Sequence, residues 1–440
     1  MPNPCTETPP SGVSSGKMHL LLPAAIIVGS AIFAAVLRPG LFIGDTVTSR
    51  LATVYALAHD GTWRIDRPID LPPNPFETQC VDKVMVNGRL LSSKPPVMPL
   101  LMTGEYLLLR SVKGLDLDKK EDLRPILSFM VFTLCQASFL IGMAFFAAAV
   151  SLFIRDPLRA AVPLVLLGFA SPLPGYAQQL NNHTPAAAAL MAALYFALAL
   201  GTGRKPPSAW RFAAFGFCSA LVFAFDLPTV IFAAIAGIFL AWRFPKQTFL
   251  WATLGAALPL AAHFGGLWLA TGDLRPVQMR GATYLYEASY WRNPLGIDAL
   301  NEPRLIYLFH ITFGRMGLFV LFPALLAAVW GVGETLRRGP SGLRIPVALT
   351  ACAFFLLTAY YIKSTNNYGG ASYGFRWYIG SVPVLLLLGI PLFDRLRSSG
   401  GWAVLFCAAI VSAYSAWECL QAPWGANHEW TCRLLFGPAV

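Results

Sequence analysis

Long apolar runs joined by short loops rich in Arg and Lys dominate the chain. The runs cover Leu20–Leu37, Ile126–Ile154, Ala160–Gly175, Thr184–Gly201, Phe212–Phe225, Pro228–Trp242, Phe249–Ala270, Phe313–Gly333, Ile345–Ile362, Tyr378–Phe393 and Trp402–Trp417. They are continuous rather than alternating with a period of two, and many approach the roughly 20 residues that a bilayer demands of a helix. Lipid offers no water to backbone N–H and C=O groups, so a spanning segment must bond internally, as a helix does. The pattern predicts an all-α polytopic membrane protein with about eleven transmembrane helices.

Two stretches break the pattern, residues 38–125 and 271–312. In the first, Val47, Leu51, Val54, Tyr55 and Ala58 recur at helical spacing from Asp45 to His59, among Thr46, Thr48, Ser49, Arg50 and Thr53. This predicts a juxtamembrane helix lying on the membrane surface. A second external helix is expected to start near Ser93-Lys94-Pro95-Pro96-Val97 and run through Leu109, because proline suits a first helical turn.

Composition sharpens this picture. The chain is 56% hydrophobic and only 12% charged, about half the charged share of soluble domains. The net charge of +11 serves topology rather than nucleic-acid binding. Arg155, Arg159, Arg204, Lys205, Arg211, Arg243, Lys246, Arg337, Arg338, Arg344, Arg395 and Arg397 all fall in short loops on one side. By the positive-inside rule that side is cytoplasmic, which puts the N-terminus inside and the C-terminus outside. Residues 1–18 read as a disordered cytoplasmic tail, 19–418 as the transmembrane domain and 419–440 as an external tail.

The chemistry-bearing residues gather on the external side, and the cytoplasmic loops carry no P-loop or GxGxxG. Asp45 is either a helix N-cap or a carboxylate held at the membrane boundary as a base. Lys94 stands beside a helix N-terminus, a place suited to an anion, or else touches lipid headgroups. Asn182 and His183 sit at the lip of a span, and Asp226 lies between Phe225 and Leu227-Pro228. Each is a helix cap or a substrate contact. Residues 366–378 combine glycines, Tyr368, Tyr373 and Arg376, a mixture suited to a sugar ring and a phosphate.

The stretch from Asp45 to Trp63, with Ser93-Lys94-Pro95-Pro96-Val97 after it, resembles the first external loop of the lipid-linked sugar transferases. These include the lipid A aminoarabinose transferases and the protein O-mannosyltransferases. Their pattern is an Asp-Glu heading a surface helix, then Glu-Lys-Pro-Pro-Leu. The turn ending in Arg376 resembles their Gly-Pro-Arg-Tyr turn, with Phe375 in place of proline.

The resemblance implies a membrane-embedded glycosyltransferase of the C-type fold, catalytic over residues 19–418. It would take sugar from a polyprenyl-phosphate donor and pass it to a lipid, glycan or protein acceptor outside the membrane, in the inner membrane of a bacterial envelope. It makes Asp45 the catalytic base and Lys94 and Arg376 the phosphate grip; Asn182, His183, Asp226, Tyr368 and Tyr373 are candidate substrate contacts from their residue types and places alone. Thr46 and Ser93 replace two family glutamates. Both changes remove carboxylates that could bind a divalent metal, so the resemblance leaves metal dependence open, and no other cofactor is implied.

A transporter or flippase for a lipid-linked sugar precursor is the competing class. It predicts paired halves with broken helices, and no internal repeat is visible. Among the 8 cysteines, Cys80, Cys419 and Cys432 fall outside, and a bridge from Cys432, to Cys419 ahead of Cys80, is expected.

Overall fold

The structure, a computed structural model, describes residues 13–70, 74–76, 80–365, 367–425 and 429–436, with side chains between 18 and 434. Among them, six helices are long and apolar enough to cross a membrane: Met18–Leu37, Lys120–Ser151, His183–Gly201, Pro245–Thr271, Ser341–Ser364 and Ser399–Gln421. Pro157–Phe169, Ala209–Phe225 and Val230–Arg243 are shorter apolar helices. The chain is an integral membrane protein.

Burial sorts these helices. Only 11% of the Met18–Leu37 window is buried within the protein, against 83% for His183–Gly201. The first is apolar all round because it faces lipid; the second is the bundle's axis. Its alanines at positions 186–189, 192 and 193 let neighbours close in, as small residues do in membranes. Ala209–Phe225 and Pro245–Thr271 meet backbone to backbone: a Cβ on Gly216 would lie 1.9 Å from the Ala252 carbonyl oxygen, and one on Gly255 1.9 Å from that of Ala213.

Besides Ala160–Gly175, whose helix stops at Phe169 and resumes at Leu173, two expected spans are broken. Phe313–Gly333 divides into Leu318–Leu321, a 3-10 turn at Pro323–Leu326, and Ala327–Arg338. Tyr378–Phe393 divides at Gly389 into Ser381–Leu388 and Ile390–Arg395. Pro323, which has no N–H, starts the first break. In the second, Pro391 follows Gly389, and the carbonyl of Leu388 packs so closely on Gly331 that a Cβ there would lie 2.0 Å away.

The external part holds the larger surprise. Asp45–Tyr55 is helical as expected, but nine of its residues, Val47 to Tyr55, are buried. Its polar face is covered rather than wet. The cover is a β-hairpin, Lys83–Val86 paired antiparallel with Arg89–Ser92. Asn87 and Gly88, at φ 51° and 72°, form its turn. The Ser49 hydroxyl sits 2.6 Å from both the Asp82 carbonyl oxygen and the Ser92 hydroxyl. The second external helix is Val97–Lys113, with Pro96 at its N-cap.

The expected disulfide is not formed. All seven described cysteines are free thiols. The Cys432 thiol donates to Glu429 Oε2 at 3.4 Å, that of Cys419 to the Pro172 carbonyl at 3.7 Å, and that of Cys80 to the Asp45 carbonyl at 3.3 Å. Cys5 lies outside the described residues.

Candidate functional site

A cavity of about 730 Å³ lies where the Asp45 helix, the hairpin, the 271–312 loop and the 367–376 turn meet. Asp45, Lys94, Asn182, His183, Asp226 and Arg376 all line it.

Asp45 is the first residue of its helix, and Gly44 is the N-cap. Its carboxylate does not cap that helix. Instead Oδ1 accepts the Val81 N–H at 2.9 Å, tying the helix to the strand entry. Lys94 Nζ lies 2.8 Å from Asp82 Oδ1. Burial pushes the Lys94 ammonium below its ordinary value, and Asp82 offsets part of that. Lys94 is therefore not the free cation that its place before a helix suggested.

The unbalanced cations are Arg376 and Arg50. Among the described residues, Arg376 has no carboxylate within ion-pair distance, and its buried Nε makes no hydrogen bond. The Arg376 guanidinium carbon stands 5.1 Å from the centre of the Trp424 ring. Arg50 is 1% exposed. It donates to the Thr46 carbonyl at 3.0 Å and to Asn182 Oδ1 at 2.7 Å, and its Nε is unpartnered. Burial, the largest influence, lowers its guanidinium to about 10. Arg50 is buried and Arg376 half-buried, and two such guanidiniums without an ion-pair carboxylate among the described residues are costly in isolation and make this wall attractive to an anion.

Asn182 spans the gap between two helices. It accepts from Arg50, and its Nδ2 donates to the Phe225 carbonyl at 2.9 Å. His183 Nδ1 lies 2.9 Å from Asp226 Oδ2, which also accepts from Thr229 Oγ1 at 2.9 Å. Asp226 thereby orients the imidazole, as carboxylates do for catalytic and ligand histidines. Nδ1 is engaged and the other ring nitrogen is left for the cavity. Neither Asn182 nor Asp226 caps a helix with its side chain.

Tyr368 and Tyr373 do not line the cavity and are corrections to the sequence reading. Both are 1% exposed. The Tyr368 hydroxyl donates to Glu302, and its ring stacks on Tyr307 at 5.1 Å. The Tyr373 hydroxyl donates to Glu418 Oε2 at 2.8 Å. Their partners lie behind the turn, so they brace it.

Asp82, Asp298 and Arg50 also line the cavity and were not singled out as site residues from sequence. Burial raises the Asp298 carboxyl above its ordinary value. Among the described residues, one group of three ligand side chains is tight enough for a metal: His59, Asp116 and Asp118. None of them lines the cavity, and His59 Nε2 and Asp116 Oδ1 already bond the Tyr106 hydroxyl, at 2.8 and 3.0 Å.

Behind the Arg376 turn, Glu429 is 0% exposed and accepts the Gly374 N–H at 2.7 Å. Burial pushes its carboxyl from 4.5 up to about 7. A carboxyl raised on folding holds its proton more tightly in the native state, so stability is full below about pH 4.5 and falls until about pH 7. The loss comes to about 3 kcal/mol. Thermal unfolding of the detergent-solubilised protein should show this fall, and Glu429→Gln should flatten it. An unchanged slope in that variant would place the pH dependence elsewhere.

No family model matches the chain, and no curated protein matches it in sequence. Solved structures do match. One is ArnT from Cupriavidus metallidurans in the apo state, at 14% identity and a TM-score of 0.52, over 90% of this chain and 63% of that one. Another is the Archaeoglobus fulgidus oligosaccharyltransferase, in complex with zinc and sulfate, at 13% identity and a TM-score of 0.51, over 91% and 54%. The same enzyme tethered to an acceptor peptide gives 14% and 0.52, over 92% and 55%. The chain thus spans between half and two thirds of the length of these proteins. In sequence they are remote; what the likeness shows is the fold, the C-type architecture of these membrane-embedded proteins.

Proposed function

We propose that the chain is a glycosyltransferase that moves a sugar from a polyprenyl-phosphate donor to an acceptor at the external face of the membrane. The observation that carries this reading is Arg376, a cavity-facing guanidinium with no carboxylate partner among the described residues. A phosphate supplies the missing charge, in bidentate geometry. Arg50 adds positive potential from the wall itself, and Lys94 shares its charge between Asp82 and the same phosphate.

The reaction is a single displacement. The acceptor oxygen bonds to the anomeric carbon as the bond from that carbon to the phosphate oxygen breaks. Asp45 takes the acceptor's proton. Lys94 and Arg376 stabilise the polyprenyl phosphate as it leaves with its electron pair. His183, oriented by Asp226, binds a sugar hydroxyl. The C-type fold supports the reaction class, and the charge of the short loops supports a cavity that opens outward, with the N-terminus in the cytoplasm; the resemblance of the first external loop is what points to the inner membrane of a bacterial envelope. The acceptor is a lipid, a glycan or a protein; the archaeal neighbour holds an acceptor peptide.

One experiment tests both chemistry and orientation. Right-side-out vesicles carrying the protein receive radiolabelled hexosyl and pentosyl esters of farnesyl phosphate from outside, with envelope membranes as the acceptor source. The expected result is loss of label from the donor and accumulation of farnesyl phosphate. Donor that crosses the bilayer intact establishes the transport reading instead. Donor consumed only from the inside reverses the orientation.

A further inference from the structure

The turn that carries Arg376 has little stiffness of its own. Gly369, Gly370 and Gly374 sit at φ 91°, 75° and 62°, and glycine's freedom there gives the turn many alternatives in the absence of outside contacts. Some come from Glu302, Tyr176 and Met316, and a further set comes from a segment some fifty residues later in the chain. The Tyr373 N–H donates to the Pro423 carbonyl at 3.1 Å, and the Gly374 N–H donates to Glu429. Glu418 Oε2 accepts both the Tyr373 hydroxyl and the Trp430 N–H, the latter at 3.0 Å. The Thr431 hydroxyl donates to the Arg315 carbonyl at 2.6 Å.

Between these ties the segment sends Trp424 into the cavity wall, under the Arg376 guanidinium. Tyr176 holds the indole edge-on at 5.6 Å and 85°. The Trp424 Nε1 is buried and makes no hydrogen bond. A tryptophan kept for its polar handle finds a partner for it when buried. This one offers only its face, and the face meets a cation that has no ion-pair partner among the described residues.

We propose that residues 422–425 and 429–433 act as a strap that fixes Arg376 in its phosphate-binding position, with the Trp424 indole as the positioning group. This rests on Arg376 being the phosphate grip. The ring lowers the cost of keeping an unpaired guanidinium in the wall and sets the plane from which it meets phosphate. The sequence gives Trp424 a different place, in an external tail; the fold returns that tail to the site.

The test measures farnesyl phosphate binding to the full-length protein in detergent, for Trp424→Leu, Trp424→Phe, Arg376→Lys and the Leu/Lys double variant. Thermal unfolding runs in parallel. Trp424→Leu should weaken binding on the order of tenfold, the scale of a desolvated cation–π contact. Trp424→Phe should lose only two- to threefold. The two sites should couple, so that Trp424→Leu costs clearly less once Arg376 is Lys. Additive losses would reduce Trp424 to a packing residue and overturn the proposal, as would unchanged binding in Trp424→Leu. Where the Leu variant does not fold, the Phe variant decides, and unchanged affinity there has the same meaning. If the wild-type protein binds no farnesyl phosphate, the phosphate grip itself is wrong and this inference falls with it. If the wild type binds and only the coupling is missing, the grip stands and the strap alone is rejected.

Discussion

Replacing Arg376 by alanine should lower the rate of sugar transfer on the order of 10²- to 10³-fold while leaving the fold as stable as before or more so. The two halves of that result have one cause. The Arg376 guanidinium lines the cavity and has no carboxylate partner among the described residues, so in the free protein it is a half-buried, unpaired charge with a net cost. Removing it breaks no ion pair. What it contributes appears only when a phosphate arrives, and most of all when the bond to the sugar breaks and charge builds on the leaving oxygen. Lys94 provides the contrast. Its ammonium is 2.8 Å from Asp82 Oδ1, so Lys94→Ala strands a carboxylate and should cost stability as well as rate. Arg376→Lys should recover only part of the activity, since an ammonium lacks the planar fork that meets phosphate through two bonds. The measurements are the turnover rate at saturating donor and the unfolding midpoint of each variant. An Arg376→Ala enzyme within threefold of wild type would remove Arg376 from the site.

How far the sequence could lead depended on which signals are local. Spans such as His183–Gly201 and Ser341–Ser364 were legible because lipid imposes one rule along a whole run. The breaks at Pro323 and Gly389 were not read, because hydropathy counts apolar residues and ignores how the backbone turns between them. Asp45, Lys94 and Arg376 were legible as candidates since each sits in a short motif. Their meeting in one cavity depends on packing between segments hundreds of residues apart.

Asp82 was missed through an overlooked local signal. Asn87-Gly88 with Val84, Val86, Leu90 and Leu91 around it is the pattern of a two-residue hairpin, and that hairpin carries Asp82 to Lys94. Arg50 was missed for a different reason. Helical spacing assigned it correctly to the polar face of its helix, but nothing in the spacing says that the face is roofed by another element. Tyr368 and Tyr373 were chosen by residue type. Their hydroxyls are committed to Glu302 and Glu418, partners that only the fold supplies.

Asp45→Asn should cut transfer by on the order of 10²-fold or more, the scale of a lost general base, with little change in stability. The geometry makes this substitution unusually informative. Had Asp45 been the N-cap, asparagine would replace it well, and a null result would be ambiguous. Gly44 holds the cap position, and the carboxylate reaches across to the Val81 N–H through Oδ1. Asparagine keeps an oxygen for that bond, so the strand entry that carries Asp82 stays in place. The substitution also removes a negative charge from the first turn of a helix, where it interacts favourably with the dipole, and that loss is about 0.3–1 kcal/mol. A cost of that size shifts the unfolding midpoint by a few degrees at most and does not reach the chemistry. What remains is basicity: the amide does not accept the acceptor's proton. Donor binding should be nearly unaffected, because Arg376, Arg50 and Lys94 are untouched, so the loss should appear in turnover and not in farnesyl phosphate affinity. A variant with near-normal turnover would leave Asp45 as a tether for the strand entry. The base would then have to be sought among the other cavity groups, with His183, held by Asp226 at 2.9 Å, the first to examine.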